Sequence, residues 1–496
     1  MLLTSELQVD ASDEACQRSW KALFIALLIA FSLLASVCTL THRYLFADGA
    51  GFFLGLLTNQ KVSDFFPTRY YTHVVTQLPT VVLLHDLGLR NATLAGLIYG
   101  ANLFFLPMIG LSVTWWAAQR APVHYLFFPF LSHAILTLTS SLMISNDSYP
   151  AVSVFWCLLY MLKFSDRLNL VRTALILTMA ILSTRMYESF LFLAWPLVYV
   201  SWQRGRAAQR SRNRFEICIC AISGLLFVVS AGVALYSTAF PFHAGNRGDF
   251  LRATGVHLAY GPVLFSLLIL YGILWQIFLT RRPPGRFFWR LVVASGIVVA
   301  IAPVLGLHQP WTYQYASRVQ SIYVPLLLGS LVAVNPPALA GCRVTSENQQ
   351  SHLRKLLALT CLVTLVFQGA ATWRWMNYRQ DIVVALSKQR GEFYSEPLDL
   401  PKEFEWGWAM PPLSVTLCAI DLGSIPTIIP NPELNGWAIF DAQKPAEFPD
   451  LSHYGISNDL STRKSNAPLK HNIRILNVRQ RRMTYTESMG GVPGRQ

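Results

Sequence analysis

Nine side chains stand out in a chain that carries few charges. Three are acids: Asp48 in "FADGAGFF", Asp147 in "SNDSYP" and Glu188 in "STRMYES". Three are arginines: Arg185, Arg247 and Arg318. His308, Trp311 and Tyr313 complete the set, in "HQPWTYQYASR". A carboxylate can take the proton of a hydroxyl as that oxygen attacks. Arginine offers a planar fork of donors that fits a phosphate. Aromatic rings lie well against the apolar faces of sugars. The acids are therefore candidate catalytic groups, and the arginines, His308, Trp311 and Tyr313 candidate substrate contacts.

Each also has a simpler reading. Asp48 suits the start of a short helix over "GAGFFLGLL". Asp147 sits in a turn-like stretch. Arg185 and Glu188 are three apart and can pair on one helical face. Trp311 and Tyr313 suit an interfacial aromatic belt.

The elements that hold these residues are apolar. The 496 residues are 53% hydrophobic and only 13% charged, against about 25% charged for a soluble chain. Runs long enough for membrane spans fall near 21–41, 91–115, 123–144, 150–163, 171–184, 189–202, 216–238, 257–279, 291–307, 321–340 and 355–372. The expected fold is an α-helical polytopic membrane protein of about eleven transmembrane helices. Residues 1–20 read as a cytoplasmic N-terminal tail, and 21–372 as the transmembrane domain.

The net charge of +14 does not point to nucleic acid, because the arginines sit in short loops between apolar runs. Arg204, Arg206, Arg210, Arg212 and Arg214 form the densest cluster. The positive-inside rule puts that cluster and the N-terminus in the cytoplasm. The long first loop, 42–90, then lies outside, and its arginines, Arg43 among them, count only as topology charges. Within it, Tyr70 to Leu84 reads as an amphipathic or re-entrant segment at the outer surface. Asp48, Asp147, Arg185, Glu188, Arg247, His308 and Arg318 all fall on the outer side.

Beyond 372 the composition changes. Residues 373–450 read as a small, mixed extracytoplasmic region with short strands such as Leu413 to Ile420. Residues 451–496 are polar and basic and read as a disordered tail. The eight cysteines give neither a disulfide framework nor metal-ligand spacing. A divalent metal stays open but has no support in the residues, and no resident cofactor is assigned.

The outer side of a membrane lacks nucleotide sugars, so group transfer there needs a donor carried in the lipid. A polytopic chain with an acid at the start of a long first outer loop resembles the GT-C class of glycosyltransferases, which use lipid-phosphate sugars. In that class the first-loop aspartate is the usual catalytic residue, and Asp48 matches its position. Many members carry a second acid beside the first; here Gly49 follows, so Asp147 or Glu188 would supply a second carboxylate. The resemblance implies a polyprenyl-phosphate sugar donor, a glycan, lipid or protein acceptor, membrane lipid as a partner and the bacterial inner membrane as the location. An outer-face polysaccharide polymerase or ligase, and a transporter or flippase for an anionic lipid-linked substrate, are the alternatives.

Overall fold

A computed structural model describes residues 2–46, 48–62, 67–118, 121–138, 148–165, 167–240, 271–272, 274, 310–334, 347–388 and 410–422. For 2–14, 48, 310–319, 347–349 and some others, it describes the backbone alone. Twelve α-helices are named here: α1 Leu2–Leu40, α2 Asp48–Asn59, α3 Tyr70–Val81, α4 Ala92–Ala117, α5 Phe127–Leu136, α6 Ser148–Phe164, α7 Leu170–Ser183, α8 Phe190–Arg210, α9 Arg214–Ala239, α10 Pro310–Val334, α11 Glu347–Lys388 and α12 Met410–Leu417. No strand occurs among the described residues.

Four helical segments are long and apolar enough to cross a membrane: Ala15–Leu40, Ala92–Ala117, Arg214–Ala239 and Gln350–Val384. Shorter apolar helices, such as Val123–Leu136, Ser148–Phe164 and Leu170–Ser183, pack among them. Several apolar helices in one chain mark a membrane-embedded protein. The runs at 257–279 and 291–307 lie almost wholly outside the described residues.

The reading of α1 shows why these helices suit lipid. Ile25, Ile29, Leu33, Val37 and Leu40 are exposed and recur at helical spacing. Trp20, Phe24, Leu27, Phe31, Leu34 and Cys38 form the opposite, buried stripe. A helix apolar on both faces is stable where its outer face meets hydrocarbon. The central helix is α6, buried along nearly its whole length and packed against α3, α4, α7, α8 and α10.

Side-chain bonds sort the helix ends into two sets. At one end, Cys16 and Trp20 of α1 both donate to Gln350 Oε1 of α11, at 2.8 and 3.1 Å. There too Lys163 donates to Ala333 O at the end of α10 (2.7 Å), and Arg204 to Leu162 O and Glu216 Oε1. This is the arginine-rich end. At the opposite end lie the exit of α1, α2, the end of α5, the start of α6, the join of α7 to α8 and the later turns of α11.

One sequence expectation changes, and two boundaries read from composition fall inside helices. Leu413 to Ile420 is not a strand: Met410–Leu417 is helical, followed by a π turn at Cys418–Leu422. Pro411 and Pro412 fall in the first turn, where a missing N–H costs least. The break at 372 falls inside α11, which runs on to Lys388. The N-terminal stretch read as a tail is helical from Leu2.

Close packing holds the exit of α1 against α4. Tyr44 lies over Gly96 and Gly100, and a Cβ at either position would collide with its ring. Gly96→Ala is expected to cost about 1–3 kcal/mol through overpacking. It should read as a fall of several degrees in the melting temperature of the detergent-solubilised protein. An unchanged melting temperature would mean that Tyr44 moves aside freely.

Candidate functional site

The site begins where α1 stops. His42 takes a left-handed conformation, φ 56°, and its N–H donates to Thr39 O at 3.0 Å. A non-glycine residue seldom holds that conformation unless its surroundings fix it. Here they do: His42 Nδ1 and the Tyr44 hydroxyl share a 2.7 Å hydrogen bond, and Trp375 of α11 donates to Thr41 O at 2.9 Å. The turn swings the chain into a short 3-10 helix, Arg43–Leu45, and α2 starts at Asp48.

Arg43 points into the protein and is 2% exposed. Its Nη1 donates to Thr372 Oγ1 (2.7 Å), Gln368 Oε1 (3.3 Å) and Gln368 O (3.4 Å). Cys38 Sγ lies 3.6 Å away. Every one of these partners is neutral. Its Nη2 is buried and makes no hydrogen bond. Burial lowers the pKa of the guanidinium, and Cys38 opposes that shift. Arginine stays protonated nonetheless. The result is an enclosed cation with one free donor arm and, among the described residues, no acid beside it. An isolated buried charge costs several kcal/mol, so the arrangement suits an anion.

The polar surroundings continue inward from Arg43. Gln368 Nε2 donates to Thr137 O, and the Thr137 and Tyr149 hydroxyls are hydrogen-bonded. Tyr149 stacks on His133, with ring centroids 5.7 Å apart. Neither ring nitrogen of His133 has a hydrogen-bond partner. Thus α1, α5, α6 and α11 share one buried polar seam beside the Arg43 turn.

A second polar cluster joins α3 to the turn between α7 and α8. Arg69 Nε lies 2.9 and 3.1 Å from the two oxygens of Glu188, and its guanidinium sits over Tyr187. Arg185 sits over Tyr70, 5.2 Å from the ring centroid, and its carbonyl accepts from Tyr71 N at 3.0 Å. Glu188 therefore bonds Arg69, and Arg185 stacks on an aromatic ring. Behind this clasp α3 turns its polar face inward: Thr72, His73, Thr76, Gln77 and Thr80 are buried, while Leu78 and Val82 are exposed. Asn102 of α4 donates to Val75 O and Thr76 O, and Phe52 of α2 packs on His73. Arg379 of α11 and Asp421 form an ion pair of 2.5 Å that ties the segment after α12 to the same end.

The sequence-derived residues divide as follows. The Asp48 backbone opens α2; its side chain lies outside the described residues. Arg185 and Glu188 meet at the α3 clasp. Trp311, Tyr313 and Arg318 are on the early turns of α10, described by backbone only. The Lys163–Ala333 bond holds the last turn of α10 at the arginine-rich end, so these early turns run toward the other end. Asp147, Arg247 and His308 lie outside the described residues. Sequence reasoning missed Arg43, Gln368 and Thr372. The one available signal was an arginine two residues beyond an apolar run, five before the first-loop acid. Among the described residues no three His, Cys, Asp or Glu side chains come together to hold a metal.

His42 gives the site a pH signature. Burial, and then Arg379, lower its pKa from 6.5 to about 4. Above pH 6.5 the ring is neutral folded and unfolded, and contributes no slope. As pH falls below 6.5 the unfolded chain takes up a proton that the folded protein refuses, so stability is lost down to about pH 4. The full window is worth ~3 kcal/mol. His42→Gln should therefore lose less melting temperature than the wild type between neutral pH and about pH 5; parallel losses would exclude His42 as the source.

Comparisons with family models, with curated proteins and with solved structures give no match.

Proposed function

We propose that this chain is an integral membrane glycosyltransferase that moves a sugar from a polyprenyl-phosphate donor to an acceptor hydroxyl at the outer face of the membrane. The observation that carries this reading is Arg43: a buried guanidinium with a free arm and, among the described residues, no acid beside it, on the turn that leads into the Asp48 helix. The arginine-rich end is the cytoplasmic one by the positive-inside rule. The Arg43 turn, α2, α3 and α12 then belong to the outer side.

The chemistry is a displacement at the anomeric carbon. The acceptor oxygen forms a bond to that carbon and gives its proton to the Asp48 carboxylate. The bond from the carbon to the phosphate oxygen breaks, and polyprenyl phosphate leaves with the added negative charge. Arg43 Nη2 supplies a donor for that charge in a low-dielectric setting, where such stabilisation is strongest. The dipole at the start of α2 favours an anion in the same place. Arg185 and Arg318 are further candidate contacts to the donor, and Trp311 and Tyr313 to its sugar.

One observation favours a second reading. Lys163, at the opposite end, is also buried, and among the described residues it bonds neutral oxygens, Ala333 O and Gln203 Oε1. Buried cations at both ends would suit a flippase for a lipid-linked anion. Incubating the purified protein in nanodiscs with labelled polyprenyl-phosphate sugars and candidate acceptors separates the two. Release of polyprenyl phosphate together with a labelled acceptor is expected. Donor movement across vesicle membranes with no bond broken would overturn the transferase reading. Labelling by an impermeant thiol reagent on intact cells tests the sidedness: a cysteine at Asn435 should react and one at Gly205 should not.

A further inference from the structure

A second lipid-facing feature lies at the arginine-rich end, away from Arg43. The last turns of α4 and the first turns of α7 flank a groove of about 520 Å³. Its walls include Met108, Ile109, Val113 and Trp116 of α4, with Val171 and Leu175 of α7. The remaining wall group, Ser112, spends its hydroxyl on Met108 O at 2.8 Å. The groove is thus apolar throughout. From Trp116 to Met108 it runs about 12 Å along α4, at 1.5 Å per residue. It opens sideways: Ile109 is 53% and Val171 59% exposed.

The mouth is charged. Arg172, in the first turn of α7, holds its guanidinium over the Trp116 ring, 5.2 Å from the centroid. Its Nε is buried and makes no hydrogen bond. Among the described residues no acid pairs with it. Glu216, on the neighbouring first turn of α9, is already committed, accepting from Arg204 Nη2 at 2.8 Å and from Leu168 N at 3.1 Å. Packing against Trp116 fixes the Arg172 guanidinium at the end of the apolar groove.

We infer that the α4–α7 groove binds one anionic phospholipid, with an acyl chain along Met108, Val113 and Leu175 and its phosphate on Arg172. Charge complementarity selects this occupant: the walls are almost wholly apolar, and among the described residues the charge at the mouth is a cation with no acid beside it. A zwitterionic lipid fills the same walls but brings its own cation against Arg172. The proposal stands independently of the transferase reading.

The test uses the full-length protein, delipidated in detergent. Native mass spectrometry and thermal melting are read while phosphatidylglycerol or phosphatidylcholine is added. One tightly held phosphatidylglycerol is expected, with a rise in melting temperature that phosphatidylcholine does not give. Arg172→Gln keeps the packing stem and removes the charge; it should weaken phosphatidylglycerol binding about tenfold. Val113→Trp fills the groove and should abolish the retained lipid. Both variants must first match the wild-type melting temperature without lipid; where one does not, Val113→Leu replaces Val113→Trp and Arg172→Met replaces Arg172→Gln. Equal binding of the two lipids, or unchanged binding in Arg172→Gln, would overturn the proposal. So would displacement of phosphatidylglycerol by an equal amount of polyprenyl phosphate, which would make the groove a donor site.

Discussion

Asp48→Asn is expected to leave a folded, membrane-inserted protein whose sugar transfer falls by about 10²–10⁴. The substitution separates two roles. Asn starts a helix about as well as Asp, so α2 and its packing against the Arg43 turn should survive. It cannot accept the acceptor's proton. Donor binding should stay near normal, because the phosphate contact lies on Arg43. Asp48→Ala would lose both roles. The measurement is transfer of labelled sugar from polyprenyl phosphate in purified membranes, with protein level and donor binding followed alongside. Near-normal transfer in Asp48→Asn with poor expression of Asp48→Ala would leave Asp48 a helix-starting residue only.

The second large effect belongs to Arg43. Arg43→Met keeps much of the buried volume and removes the charge. Removing the charge relieves a desolvation cost of several kcal/mol, against about 1–3 kcal/mol for leaving Gln368 Oε1 without its donor, and Thr372 Oγ1 retains its bond to Gln368 O at 2.7 Å. The melting temperature should therefore hold or rise. Transfer should fall by about 10²–10³, the usual cost of losing a donor aimed at developing charge. Arg43→Lys restores the charge without the planar fork and should recover only part of the rate. A purely structural arginine predicts the opposite pattern, with lower melting temperature and rates that track the folded fraction. That result would remove the observation on which the transferase reading rests.

Much of the helical layout was legible in the sequence. The runs at 91–115, 171–184 and 216–238 meet α4, α7 and α9 within a few residues, because each is bounded by a capping Asn or by loop arginines. Asn91, Asn169 and Asn213 all accept a hydrogen bond from the N–H three residues on. Hydropathy lost the polar continuations of α1 and α11, since a window that scores apolarity cannot see a helix that leaves the lipid. The Leu413–Ile420 segment misled for another reason. Its β-branched residues suit a strand, but packing against α2 and a Pro-Pro start override that preference. The site was the least legible part. Arg43 bonds to residues 325 and 329 positions away, and local spacing holds no trace of such a meeting. Glu188 likewise meets an arginine 119 residues upstream, Arg69, a partner that local spacing does not reveal.

The bonds between α1 and α11 carry a consequence for the birth of the molecule. Cys16 meets Gln350 across 334 residues, and Trp375 meets Thr41 across another 334. At roughly 5–20 residues per second on the ribosome, the first helix waits some tens of seconds for the partner that closes it. Throughout that time Arg43 lacks Gln368 and Thr372 and is free to stay near water at the membrane surface. Only when α11 arrives do its neutral partners exist. The last long apolar helix thus acts as the closing piece of assembly, and a nascent chain arrested before residue 347 would be inserted yet still hold its arginine in the solvent.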